Sequence, residues 1–348
     1  MTPGKVSILI LNYNGRQYLK DCLDSVLAQV YPEFEIILFD NASSDGSVDF
    51  IKSHYDDNRI KIITSDINLG FAGGNNAAYC HAEGEYIVLL NNDTVTENGW
   101  LVELVAALNK DARTGMAQSL VITEGIPLKY YKRNGTVNLL GHNIMEVFDI
   151  GEDGTGEIFL AGGCSLIIRK ELADRLGGLF PEEYFAYSED TYLSFKVKFA
   201  GYKIVHTSSS VVRHKGGATT KKYRNSFITF YQERNRILNF LIFFSAGFRI
   251  KYIFLLLLNL KLKILYSLFS GKYSVAGIIK AYFWICSHGK WIRKKRKELD
   301  AYKTTGEKEV LKMLSGRYAN GNNLWEKYIN FITLAYLKIV NIKTIESD

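Results

Sequence analysis

The chain has 348 residues, 47% of them apolar, enough for one large domain or two smaller ones around a real core. The formal charge of +7 is unevenly spread, with residues 1–220 at net −9 and residues 221–300 at net +14, so a mildly acidic front half joins a strongly basic, apolar back half. Cys22, Cys80, Cys164 and Cys286 are scattered, with no C-x-x-C pair, and read as reduced thiols of a cytosolic protein.

Met1–Lys5 lacks the apolar core of a signal peptide and leads straight into a strand, Lys5 to Leu11, that ends at Asn12-Tyr13-Asn14-Gly15. Leu19, Leu23, Val26 and Leu27 recur at helical spacing before Pro32. Phe34 to Phe39 is a second strand, followed by the Asp40–Gly46 loop and a short helix around Val48, Phe50 and Ile51. Arg59 to Thr64 is a third, followed by Asn68-Leu-Gly-Phe-Ala-Gly73-Gly74-Asn75-Asn76, a Gly-rich turn opening a small-residue helix. The apolar run Ile87 to Leu90 ends in Asn91-Asn92-Asp93. A helix carries Trp100, Leu101, Leu104 and Leu108, and Met116 to Ile122 is a further strand. Residues 124–158 read as a loop or small hairpin, and Phe159 to Arg169 as strand-like, with Gly162-Gly163 permitting close backbone approach. Glu171 to Leu176 is a short helix. Glu189-Asp190 opens another that carries Leu193 and Val197. Two strands follow, Tyr202 to Thr207 and Ser210 to His214.

Four strand–helix units alternating before residue 110 predict a mostly parallel sheet with helices on both faces. On such a sheet the loops after the strands converge on one edge. Here each carries Asn or Asp: Asn12 and Asn14, Asp40, Asn68, and Asn91 with Asp93. A single such residue is a turn; the series predicts a binding crevice. There is no G-x-G-x-x-G after the first strand and no G-x-x-x-x-G-K-[ST], which sets aside both nucleotide fingerprints. Asn91-Asn92-Asp93 offers hard oxygen ligands to Mg²⁺ or Mn²⁺, and reads equally as a strand end capping the next helix. Glu189-Asp190 reads as catalytic acids or as acids favoured at a helix N-terminus.

Val6–Asn14, Ile36–Ser47, Asn68–Asn76, Leu89–Thr94, Ser188-Glu189-Asp190 and His214-Lys215-Gly216-Gly217 occur in the order of a known family's motifs. Over about residues 5–220 the chain resembles a family 2 glycosyltransferase with the GT-A fold, of the rhamnosyltransferase-like subgroup. The resemblance implies a nucleotide-sugar donor, Mg²⁺ or Mn²⁺ as cofactor and an inverting mechanism. It implies that Asn12, Tyr13, Asn14, Asp40, Asn68, Gly73, Asn75 and Asn92 line the nucleotide. Asp93, Asn91 and His214 would face the metal, and Gly163 and Tyr187 the acceptor. Asp190 falls on the general base, with Glu189 beside it to orient the acceptor or raise the base's pKa. Asn91 stands where the family's D-x-D has its first acid, so one charged ligand is missing. Tyr192 stands where many relatives carry another acid.

From Phe227 the chain turns apolar and basic. Its longest uncharged run, Ile237 to Phe248, falls short of the roughly 20 residues of a spanning helix. With Trp284 and Trp291 beside Arg293-Lys-Lys-Arg-Lys297, the region predicts helices lying on a membrane surface, apolar on one side and cationic on the other. The expected organisation is a glycosyltransferase domain over 1–220, a membrane-associating helical region over 221–300 and a helical tail over 301–348. The expected function is sugar transfer to a glycan or lipid-linked acceptor, with no nucleic-acid partner, by a peripheral protein at the cytoplasmic face of the cell membrane. A nucleotidyltransferase would need a Gly-rich, basic loop where Asn12-Tyr13-Asn14 stands. A non-catalytic membrane scaffold would tolerate loss of both Asp93 and Asp190.

Overall fold

A computed structural model describes residues 1–123, 135–145, 154–215, 226–270 and 273–347. The rest of the 124–158 excursion and the Gly216-Gly217 pair lie outside the described residues. In chain order the first elements are β1 (Thr2–Asn12), α1 (Arg16–Leu27), β2 (Phe34–Asn41), α2 (Ser47–His54) and β3 (Ile60–Ser65). Then come α3 (Gly70–Tyr79), β4 (Gly84–Asn91), β5 (Thr94–Thr96), α4 (Trp100–Asn109) and β6 (Thr114–Thr123). A hairpin, β7 (Gly135–Val137) with β8 (Asn143–Met145), precedes β9 (Thr155–Ile158), β10 (Ser165–Arg169) and α5 (Lys170–Arg175). Next are α6 (Glu189–Phe199), β11 (Lys203–His214), α7 (Ser226–Phe243) and α8 (Ala246–Ser270). The chain ends in α9 (Val275–Ser287), α10 (Gly289–Asp300), α11 (Glu307–Leu311) and α12 (Leu324–Ile339).

The chain forms two compact units. The first holds Met1–Asn134, Phe148–Phe185 and Tyr202–Gly216; the second holds Gly135–Val147, Ala186–Gly201 and Gly217–Asp348.

The first unit is built on one sheet with strand order β3-β2-β1-β4-β10-β6-β11-β5. β9 pairs with β11 along Ile204–Thr207, and β5 pairs with it along Val212–His214. The expectation of a mostly parallel sheet needs correcting beyond β4. The β1–β2, β1–β4, β2–β3 and β6–β11 pairs are parallel, but β10 runs antiparallel to both its neighbours, as β5 and β9 do to β11. The alternation before residue 110 carried no sign of these antiparallel pairs. Val6, Ile8 and Ile10 pack with Leu19 and Leu23 of α1 and with Trp100 and Leu104 of α4 in the main core. On β1 and β2 packs α3, close enough that a Cβ at Gly74 would sit 2.4 Å from Leu11 Cδ1. Gly74 is therefore set by helix–strand approach.

Two strand readings are corrected. The strand expected over Phe159–Arg169 begins only at Ser165. The two strands expected at Tyr202–Thr207 and Ser210–His214 are one, with a register shift between Thr207 and Val211. That irregularity turns the Ser210 hydroxyl inward, where it donates to the Trp100 carbonyl and meets Ser119. Ser119 and Ser165 in turn accept from the Trp100 indole. The bulge thus satisfies a buried polar group in place of ending a strand.

In the second unit α7 is the hub. Its Phe243 stacks on Phe195 and Phe199 of α6. Its Glu233 receives Arg236, Lys263 of α8 and Tyr282 of α9. Burial alone would raise the Glu233 carboxyl, but Arg236 and Lys263 override it and hold it at about 2. The tail's cations are therefore not all on a free face, as the sequence suggested. Lys263 points inward. Arg296 of α10 donates to the carbonyls of Leu241, Ile242 and Phe244, closing the end of α7. Among the described residues no helix is long and apolar enough to cross a membrane.

Candidate active site

At the carboxyl ends of β1, β2 and β4 the sequence-predicted residues form one hydrogen-bonded set. Asn12 is fully buried. Its amide nitrogen donates to Asp40 Oδ1 at 2.9 Å and Ser43 Oγ at 3.1 Å, and its Oδ1 accepts from Asn92 Nδ2 at 2.7 Å. A single side chain therefore ties three loops. Asp40 Oδ2 accepts from the Ser43 N–H. Asn14, at φ 50°, donates its N–H to Ser43 Oγ and accepts from the Ser44 N–H. Between them Tyr13 stands half exposed.

Next to this, the start of α3 is assembled by Asn41, which sequence reading passed over. Its Oδ1 accepts from the Leu69 N–H, and its Nδ2 donates to Asn68 Oδ1 and the Gly70 carbonyl. Asn68 Oδ1 also accepts from the Gly70 N–H at 2.8 Å. Asn41 directly follows Asp40 in the second motif, and that adjacency was the available signal. Gly70, at φ +71°, lies against the Phe185 carbonyl, which accepts from the Ala72 N–H. Gly73 is held close to Leu69, and the buried Asn75 donates back to the Phe71 carbonyl within its own helix. Gly163 faces the Phe71 ring, which a Cβ there would meet at 3.0 Å.

The turn after β4 presents Asp93. The Asn91 N–H donates to the Cys164 carbonyl, and the Asn91 carbonyl accepts from the Thr94 hydroxyl. β5 then pairs with β11 so that Thr94 faces His214, and the Lys215 N–H donates to the Asp93 carbonyl. This register brings Asp93 Oδ1 to 3.1 Å from His214 Nε2, both side chains being partly exposed. An oxygen and a nitrogen ligand so placed fit a divalent cation. Among the described residues no group of three His, Cys, Asp or Glu side chains forms a metal cage. The pair would leave the other coordination positions to phosphate oxygens and water, as Mg²⁺ and Mn²⁺ sites on nucleotides do.

Glu189, Asp190 and Tyr187 belong to the second unit. Tyr187 and Ser188 hold φ of 73° and 61°, an unusual region for residues with side chains. Two asparagines of α7, one turn apart, secure them. Asn235 Nδ2 donates to the carbonyls of Ala186 at 2.9 Å and Tyr187 at 2.7 Å, and Asn239 Nδ2 to that of Ser188 at 3.1 Å. The Asn235 amide is oriented by Arg234, whose Nε and Nη2 both donate to its Oδ1. Sequence reading missed both asparagines, because nothing along the chain links α7 to residues 186–188. Directly after this clamp, Asp190 Oδ1 accepts from its neighbour Thr191. Glu189 is buried with Oε2 lacking a hydrogen bond, and burial first, then the Asp190 charge, pushes its carboxyl up to about 8. Its neutral form is therefore favoured.

The family model for glycosyl transferase family 2 matches residues 7–176. Over 252 residues the chain is 30% identical to an uncharacterized glycosyltransferase of Haemophilus influenzae, covering 65% of this chain and 74% of that protein. It is 27% identical over 230 residues to the O-antigen biosynthesis protein RfbC of Myxococcus xanthus, covering 63% of this chain but only 18% of that longer protein. Among solved structures, GalNAc-T7 with UDP, GalNAc and Mn²⁺ superposes with a TM-score of 0.61 at 16% identity, over 71% of this chain and 50% of that one. Residues 1–349 of S. aureus TarS in complex with UDP-GlcNAc give 0.53 at 17%, over 97% and 90%. Likeness at such identities speaks for the fold alone, a mixed α/β sheet of the GT-A kind. With the family model matched over residues 7–176 and a 30%-identical relative matched along most of its length, the chain belongs to glycosyl transferase family 2 and is a glycosyltransferase.

Proposed function

We propose that the protein moves a sugar from a nucleoside-diphosphate sugar, of the dTDP-rhamnose or UDP-hexose type, to a hydroxyl of a glycan or lipid-linked acceptor in cell-surface polysaccharide synthesis. The observation that carries the reading is the Asp93–His214 pair beside the Asn12-centred knot of loops. It supplies cation ligands next to loops stiff enough to shape a nucleotide pocket. Asp40 and Asn14 bound that pocket, and the half-exposed Tyr13 ring offers a face for a base. A divalent cation there would neutralise charge on the departing diphosphate. Asp190 takes the proton from the acceptor hydroxyl as its oxygen bonds to the anomeric carbon and the bond to the diphosphate breaks. One displacement of this kind inverts the anomeric centre. Burial favours the neutral form of Glu189, which limits the negative charge beside the base. The likeness to a protein named for O-antigen biosynthesis favours a surface-polysaccharide role.

The proposed location is the cytoplasmic face of the cell membrane, bound peripherally. The test of the reaction is calorimetric titration with UDP, dTDP and GDP, each with Mn²⁺ and with excess chelator. One nucleotide should bind tightly, and only with metal. Equal binding of all three irrespective of metal would refute the Asp93–His214 assignment.

A further inference from the structure

We infer that α8 and α12 form the surface by which the protein lies on an anionic bilayer. Both helices are turned inside out. The inward side of α8 carries Tyr252, Asn259, Lys263 and Ser267 with Leu255, all buried, and Lys263 is paired with Glu233. Its outward side carries Ile250, Phe254, Leu257 and Leu268, with Ile250 72% and Leu257 57% exposed. Their spacings of four, three and eleven residues are close to whole helical turns, so they share one face. The same inversion holds in α12. Asn330 and Thr333 face inward beside Ile329 and Leu337, while Trp325, Tyr328 and Phe331 face out, Phe331 at 70% exposure. The two outward faces adjoin: the Phe254 and Tyr336 rings lie 5.1 Å apart, and the Tyr336 hydroxyl donates to the Lys251 carbonyl. A helix that spends polar side chains on the interior and apolar ones on the outside is not placed for water.

Charge decides what covers this face. α8 contains no acid, and Lys251 and Lys261 are exposed along it. In α12 Lys327 and Lys338 are exposed, and the one acid, Glu326, is occupied at the helix start by Asn322 and Asn323. Two copies meeting through this face would set lysine against lysine with no acid to answer. Anionic headgroups supply the missing charge while acyl chains take the apolar side chains, and long lysines can reach the headgroup level. Since neither helix is of the spanning kind, they lie in the plane of the surface.

This deepens the membrane-surface reading above and does not depend on donor chemistry. The test is flotation of the full chain with phosphatidylglycerol vesicles and with phosphatidylcholine vesicles, alongside sedimentation equilibrium without lipid. The wild type should float with the anionic vesicles and lose that at high salt. F254E/L257E and, separately, F331E should bind about tenfold more weakly or worse. K251E/K261E should lose about fivefold per lysine on anionic vesicles only. Nucleotide binding should stay at the wild-type value, and circular dichroism should show each variant folded. Flotation unchanged in F254E/L257E overturns the inference, as does a wild-type dimer that F254E/L257E dissociates while neither protein floats. A chain that floats but binds no nucleotide refutes the transfer reading alone.

Discussion

Replacing Asn239 or Asn235 by alanine tests whether α7 sets the catalytic geometry. Asn239→Ala removes the hydrogen bond to the Ser188 carbonyl, and Asn235→Ala those to Ala186 and Tyr187, together with the oxygen that accepts from Arg234. A buried carbonyl that loses its donor costs about 1–3 kcal/mol, so the first change should destabilise by about 1–2 kcal/mol and the second by roughly 2–4 kcal/mol. Positive φ at Tyr187 and Ser188 adds a drive to relax, since each such residue stores of order 1–3 kcal/mol. Relaxation there moves the residue two positions on, Asp190. A misplacement near 1 Å at a reacting group costs on the order of a hundredfold in rate. Asn239→Ala should therefore lower kcat far more than its stability loss implies, with KM for the donor unchanged. Steady-state kinetics at saturating acceptor, with urea denaturation on the same samples, measures both. Asn239→Asp keeps the size but loses the donor, and should follow the alanine variant. Wild-type kcat in Asn239→Asp, or an effect confined to donor KM, refutes the positioning role.

Asp190→Asn should abolish transfer while leaving nucleotide binding within about twofold of wild type, because it removes only the proton acceptor; equal loss of both, by calorimetry and kinetics, would rule out the base. Asp93→Ala should weaken Mn²⁺-dependent nucleotide binding by about 2 kcal/mol or more, roughly thirtyfold, and leave the metal-free value unchanged. Glu189 has its pKa raised to about 8 from 4.5, so unfolding is favoured as pH rises through that interval, where only the unfolded chain ionises. The stability advantage of Glu189→Gln over wild type should grow between pH 5 and 8 and level off above, and parallel urea midpoints would contradict the burial argument. Gly70→Ala places a Cβ 2.5 Å from the Phe185 carbonyl at a positive φ, and should cost at least about 2 kcal/mol by thermal denaturation.

The strands up to β4, their helices and the asparagine-bearing loops were legible because each is written locally, as an apolar run closed by turn formers. The antiparallel insertion of β10 between β4 and β6 was not, since a five-residue apolar strand has the same composition in either direction. The Asp93 and His214 motifs were readable singly. Their meeting rests on β5–β11 pairing, which a three-residue strand hardly advertises. Asn12 was legible as a site residue, but its burial and its links to Asp40, Ser43 and Asn92 were not. In the tail the composition was plain and the orientation was hidden. Lys263 and Arg296 look like surface cations until Glu233 and the end of α7 are seen to use them.

The Arg296 fork has a mechanical consequence. A single guanidinium closes three carbonyls at the exit of the helix that carries Asn235 and Asn239. If α10 peeled away, that helix would fray from its end toward the clamp. All three bonds come from one guanidinium nitrogen, Nη1, so loss of this side chain would open all three carbonyls together. Arg296 thus ties α10 to the end of the helix whose asparagines hold residues 186–188, so one surface-looking cation secures the clamp from a distance.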